Sequence, residues 1–185
     1  MVPSSPCRNR PRATAALLLT LALVAPLAVA DAAPVDEVLA TELLPNGRAP
    51  LPGVATGGEP SQAQLEAIAA HGFRTVVSLR TDAEGSEIEA PGVEGLGMRY
   101  AAIPVAGADG LTRAAAEALD RILDDPEAGP VAIFCGSGNR VGALLALRAA
   151  WLEGATPEEA LRLGTDAGLT GLEPVVRSEL GLPEN

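Results

Sequence analysis

Val131-Ala132-Ile133-Phe134-Cys135-Gly136-Ser137-Gly138-Asn139-Arg140 decides the fold and points to the chemistry of this chain. Four apolar residues suited to a buried strand run straight into a cysteine, two glycines and an arginine. Val141 to Leu152 then continues apolar nearly all round, as a helix buried against a sheet does. A thiol at that junction faces a helix N-terminus, whose unpaired N–H groups favour negative charge. Thiols so placed, with a guanidinium nearby, fall from roughly 8.5 to about 3.5–7.5, so Cys135 is expected to rest as a nucleophilic thiolate. Gly136 and Gly138 are expected to take positive φ and to aim amides at an oxyanion, with Ser137 and Asn139 completing the loop. Arg140 supplies a planar fork for two oxygens of that anion.

Strands alternate with helices on the N-terminal side of this loop. Val54-Ala55-Thr56 suits a short strand, and Ser61 with Gln64 forms a capping box ahead of a helix closing at Gly72. Thr75 to Leu79 is a β-branched run and Met98 to Val105 reads as another strand, with a short helix around Ser86 to Ala90 between them. Thr112 caps a helix that stops before Pro126. Beyond the loop, Thr156-Pro157-Glu158-Glu159 opens a further helix, and a last segment covers about 173–180. The pattern predicts an α/β domain: a mostly parallel central sheet of three to five strands, helices on both faces, and the cysteine loop between the last strand and the following helix.

Ligands of such sheets bind beyond the carboxyl ends of the strands, where Arg80, Asp82, Asp109 and Cys135 all fall. A cysteine hydrolase there needs an acid for the leaving oxygen and a base for water. Asp109, on a glycine-flanked loop, is the first candidate and Asp82 the second; each also suits an ordinary turn. Ser137 is either a hydrogen-bond donor to the leaving sulfur or a small loop filler. His71, the only histidine, precedes Gly72 at a helix end and serves there as a C-terminal charge, not as a partner of Cys135. Glu84, Glu87, Glu89 and Glu94 read as a solvated acidic face. One histidine and two cysteines assemble no soft-ligand metal cluster, and no cofactor is called for.

Residues 1–30 read as an export signal: Arg8, Arg10 and Arg12, an apolar core over 13–29 interrupted by Pro26, and the small-residue site Ala28-Val29-Ala30. The expected organisation is a signal over 1–30, a linker over 31–50 and one domain over 51–185, secreted or periplasmic and without stable membrane insertion once the signal is removed. Cys7 leaves with the signal, so Cys135 has no intramolecular disulfide partner. Losing three of 13 basic residues leaves ten arginines against 24 acids, a balance of −14 that argues against nucleic acid and anionic membranes as partners. The chain contains no lysine, so arginine alone can grip a phosphate or carboxylate.

Gly58-Glu59-Pro60-Ser61, Val76-Val77-Ser78-Leu79-Arg80, Tyr100 to Val105 and Cys135-Gly136-Ser137-Gly138-Asn139-Arg140-Val141-Gly142-Ala143-Leu144 together resemble the phosphatase-like domain of the beta-lactamase-hydrolase-like proteins, over about residues 51–169. That domain is a branch of the cysteine-dependent tyrosine and dual-specificity phosphatase superfamily. The resemblance implies a phosphocysteine mechanism: Cys135 as nucleophile, the loop amides and Arg140 as phosphate cradle, and an upstream aspartate as acid. Four residues separate Cys135 from Arg140, where characterised phosphatases have five. Phe134 stands in place of their histidine and Val141 in place of their hydroxyl residue. A loop this short is similar to that of rhodanese-type sulfurtransferases, in which the cysteine carries a persulfide. The expected partner is therefore a phosphorylated or a sulfur-bearing substrate, with a non-catalytic anion-binding module as the third reading.

Overall fold

The computed structural model describes Met1, residues 35–86 and residues 89–184. The signal assignment, Met1 apart, and the linker up to residue 34 lie outside the described residues, as do Glu87 and Ile88 of the expected short helix. The described residues from 35 onward belong to one compact unit.

Five strands make the sheet: β1 (Arg48–Leu51), β2 (Val54–Gly57), β3 (Thr75–Ser78), β4 (Arg99–Ala102) and β5 (Val131–Phe134), in the spatial order β1-β2-β5-β3-β4. β1 pairs antiparallel with β2 and all other pairs are parallel. β2, β3 and β5 are buried at every position instead of every second one, the signature of a sheet covered on both faces. Their side chains divide by parity. Val77, Val131 and Ile133 join one apolar cluster and Val76, Ala132 and Phe134 the other.

Seven helices cover the sheet among the described residues: α1 (Glu37–Leu43), α2 (Gln62–Ala70), α3 (Ala90–Glu94), α4 (Arg113–Leu123), α5 (Asn139–Leu152), α6 (Pro157–Asp166) and α7 (Glu173–Glu179). The expected caps form. Ser61 and Thr156 make capping boxes with Gln64 and Glu159, and the Thr112 hydroxyl accepts the Ala115 N–H at 3.2 Å. α5 is buried from Val141 to Ala149 without a break. Each of its buried leucines, Leu144, Leu145 and Leu147, contributes about 2 kcal/mol of transfer free energy.

Three expectations change. Residues 35–50 are not a linker: Leu43 and Leu44 are buried against β2, and β1 forms the edge of the sheet. Pro50 masks β1 in the sequence because it cannot donate to a ladder, and it is tolerated here because the strand lies at the sheet's edge. β4 spans four residues instead of the eight of Met98 to Val105. The short helix of the acidic segment begins at Ala90, while Asp82–Glu84 form a single 3-10 turn.

Candidate active site

The parallel register brings the site together. Phe134 lies opposite Gly57 on one side and Ser78 on the other, and Ser78 lies opposite Ala102. The chain therefore leaves β2, β5, β3 and β4 at one level, and the loops that follow share one edge. Backbone bonds extend this register past the strands, from Leu79 N–H to the Phe134 carbonyl at 2.8 Å and from Val105 N–H to the Leu79 carbonyl at 3.1 Å.

Cys135 sits at the floor of its loop, 1 % exposed, while Gly136 and Ser137 above it are exposed. Its sulfur accepts the Gly138 N–H at 3.1 Å. Gly138 turns that amide inward by adopting φ 98°, a left-handed conformation open to glycine without strain. Gly136 does not take positive φ, contrary to expectation, so one glycine alone makes the reversal. The described hydrogen bond to sulfur comes from this amide and not from the Ser137 hydroxyl. The loop is braced from outside. Asn46 Nδ2 donates to the Ser137 carbonyl at 3.3 Å, and Asn139 Oδ1 accepts the N–H groups of Thr170 and Leu172 at 2.8 and 3.2 Å. The Asn139 side chain is thus a brace for the 168–172 segment, leaving its backbone for the loop.

Arg140 closes the site, held by Glu84, by the Val105 carbonyl and by the Leu79 carbonyl at 3.4 Å. Its Nη1 donates to the Val105 carbonyl at 2.9 Å and to Glu84 Oε2 at 2.7 Å, and its Nη2 donates to Glu84 Oε1 at 2.6 Å. This is a bidentate, charge-assisted pair. It holds the Glu84 carboxyl down at about 2, and in return Glu84 raises the Arg140 guanidinium above its ordinary range, with the nearby Cys135 sulfur adding to the effect and burial opposing it. The guanidinium also bonds to the Cys135 sulfur, so cation and nucleophile lie side by side.

Arg80, two residues beyond β3, organises the turn that carries Glu84. It donates to the Glu89 carboxylate, to the Glu84 carbonyl, and to Glu59 Oε1 at 2.5 Å. Tyr100 on β4 donates from its hydroxyl to the Ser86 carbonyl at 2.9 Å and to Glu89 Oε2 at 3.0 Å. Burial, reinforced by the Glu89 carboxylate, pushes this phenol up to about 12, so it stays a donor. Glu84 and Glu89 are therefore site supports instead of a solvated face. Reading them from sequence requires knowing that Arg80 and Arg140 converge, which only the strand register reveals.

The two candidate acids differ. Asp82 Oδ1 accepts the Ser86 hydroxyl at 2.9 Å and so stabilises its own turn. Asp109 stands exposed in the turn after β4, with no hydrogen-bond partner among the described residues, on a loop whose root at Val105 is tied to Arg140. His71 is remote from the cysteine loop: its Nδ1 pairs with the Ala67 carbonyl at 2.8 Å at the C-terminus of α2. No group of three or more His, Cys, Asp or Glu suited to a metal ion occurs among the described residues. No helix among them is long and apolar enough to cross a membrane.

No protein-family model matches the chain. Two beta-lactamase hydrolase-like proteins of Xylella fastidiosa, from strains Temecula1 and 9a5c, are each 31 % identical over 99 residues, 51 % of this chain. The matched part is 22 % of each relative's length, so the chain corresponds to about a fifth of those proteins. Among solved structures, a candidate phosphatase of the DUF442 group from Shewanella putrefaciens CN-32 superposes with TM-score 0.58 at 18 % identity, covering 74 % of this chain and 91 % of that one. The active form of Tk-PTP gives TM-score 0.55 at 22 % identity, with 74 % and 96 % covered. The core catalytic domain of the PP-IP phosphatase SIW14 from S. cerevisiae gives 0.50 at 14 %, with 72 % and 84 % covered. The chain shares its fold with these phosphatase structures.

Proposed function

We propose that this chain is an exported cysteine-dependent phosphatase-like hydrolase that cleaves a phosphate monoester through a phosphocysteine at Cys135. The observation that carries the reading is the Gly138 N–H aimed at the Cys135 sulfur at 3.1 Å, beside an Arg140 guanidinium that itself reaches that sulfur. Sulfur, an inward amide and a planar cation in one turn suit a phosphoryl group in transit, where catalysis is mainly positioning and charge stabilisation.

In this reaction the Cys135 thiolate attacks phosphorus, the P–S bond forms and the ester P–O bond breaks, while Asp109 gives its proton to the leaving oxygen. Asp109 then takes a proton from water, whose oxygen attacks phosphorus; the P–S bond breaks and inorganic phosphate leaves. Gly136, Ser137, Gly138 and Asn139 contribute the backbone of the cradle and Arg140 its fork. Export rests on the basic start, apolar core and small-residue site of residues 1–30.

The four-residue spacing between Cys135 and Arg140 favours a second reading, a persulfide carried on Cys135 by a rhodanese-like sulfurtransferase. Phosphate release from an aryl phosphate separates the two. The hydrolase reading expects release that disappears in Cys135→Ser and slows in Asp109→Asn. Release unaffected by Cys135→Ser removes the assignment, and sulfur transfer from thiosulfate indifferent to Asp109→Asn installs the alternative.

A further inference from the structure

The cysteine loop is held from outside by a turn that lies far from it in sequence. Leu44 to Gly47 form this turn, closed by the Gly47 N–H on the Leu44 carbonyl at 3.0 Å. Pro45 and Asn46 take its two central positions, and Asn46 adopts φ 55°, the single positive φ of a non-glycine residue among the described residues. Asparagine is one of the few side chains that accept this conformation. The turn is well anchored: Leu43 and Leu44 are buried, and the Pro45 carbonyl accepts the Gly58 N–H at 2.6 Å. Gly58 in turn bridges to Ser137 and lies close against the loop, since a Cβ there would stand 3.2 Å from the Gly136 carbonyl oxygen.

From this turn Asn46 Nδ2 donates to the Ser137 carbonyl at 3.3 Å. That carbonyl shares one peptide plane with the Gly138 N–H, which donates to the Cys135 sulfur at 3.1 Å. The peptide is trans, so its C=O and N–H point to opposite sides. The outer end of the plane is tied to Asn46 and the inner end faces the nucleophile. Rotating the plane would take the amide off the sulfur without moving a strand or a helix, and Gly138 has no side chain to resist it. A hydrogen bond accepted at the carbonyl also polarises the peptide and strengthens the N–H at its other end.

We infer that Asn46 is a positioning residue: by holding the Ser137 carbonyl outward it keeps the Gly138 N–H aimed at the Cys135 sulfur and at the anion bound there. This deepens the hydrolase reading proposed above and, for the turnover it predicts, rests on it.

Two variants of the full chain test the inference. Asn46→Gly keeps the left-handed turn without strain and removes the donor, while Asn46→Asp keeps the size and the tolerance of this φ and puts a carboxylate in the donor's place. The Gly138 amide is followed by its proton–nitrogen resonance and its hydrogen exchange, with the amides of α5 as the reference, and turnover by phosphate release from an aryl phosphate. In both variants the Gly138 proton should move upfield and exchange about fivefold faster, and kcat/KM should fall about fivefold, the scale of one neutral hydrogen bond, while exchange along α5 stays unchanged. A Gly138 amide that neither moves nor exchanges faster overturns the inference whatever the turnover does. Full turnover in a variant whose Gly138 amide has moved also overturns it and leaves the hydrolase reading intact. A Gly138 amide that responds as expected in a protein whose wild type releases no phosphate leaves the positioning by Asn46 standing and sinks the hydrolase reading.

Discussion

Replacing Glu84 by glutamine keeps the shape of the group seated on Arg140 and removes its charge. A carboxyl held at about 2 instead of its ordinary 4.5 corresponds to about 3.4 kcal/mol between its two protonation states. The Glu84 side chain is 36 % exposed, so solvent screening brings the expected contribution to about 1–2 kcal/mol. The sign follows from the direction of the shift. A depressed carboxyl stabilises fully above its unfolded value of 4.5, and that stabilisation is lost as the pH falls through about 2. Urea unfolding followed by the fluorescence of Trp151, the single tryptophan, should show Glu84→Gln weaker than wild type at pH 7 and the gap visibly narrower at pH 3.5. A deficit of the same size at both values would refute the ionic account and leave only packing.

Further outcomes follow from the same geometry. A Cβ at Gly142 would stand 2.2 Å from the Leu169 nitrogen and 2.5 Å from the Gly164 carbonyl oxygen, so Gly142→Ala should force α5 and α6 apart and cost about 3 kcal/mol. A melt should read this as a fall of about 6–12 °C, and an unchanged Tm would show that the contact is not tight. Gly138→Ala must hold alanine at φ 98°, costing about 1–2 kcal/mol, and should abolish protection of Cys135 from alkylation by phosphate. Gly136→Ala, whose nearest atom would be Arg140 Nη2 at 3.6 Å and whose φ is not positive, should lose much less stability, so equal losses would contradict the assignment of the turn to Gly138. Arg148, with its side chain 4 % exposed, ties α5 to Asp120 and Glu153 at 2.9 Å each. Arg148→Met should cost about 2 kcal/mol in urea unfolding, since its partners regain water more readily than a fully enclosed carboxylate would, and no loss would mark the network as incidental.

The fold was largely written in hydrophobic runs and caps. Val131 to Phe134, Thr75 to Ser78 and the continuous apolar face of α5 allow little besides a sheet covered on both faces, and Ser61, Thr112 and Thr156 mark their helices because a side-chain oxygen there satisfies an orphan amide. Edge elements were hidden. β1 contains a proline, and α1 has only seven residues, too few to show a period. In the site, Cys135 and Arg140 declare themselves by proximity in sequence. Glu84 lies 56 residues from Arg140, and Glu59 lies 21 from Arg80. Such partners become visible only when the register of β2, β3 and β5 sets their loops side by side. Asp109 illustrates the converse: its sequence setting marks it for a loop at the right edge, and the structure places the loop's root at Arg140 while leaving the carboxylate exposed.

The central claim is that the Cys135 sulfur accepts a phosphoryl group, and the intact mass of the purified protein quenched during turnover of an aryl phosphate tests it most directly. The account predicts a phosphoryl adduct on the peptide containing Cys135, labile after the quench, more abundant in Asp109→Asn if hydrolysis of the adduct is slowed further than its formation, and missing in Cys135→Ser. Phosphate released with no adduct at Cys135, or an adduct of sulfur formed in its place with a sulfur donor, would contradict it.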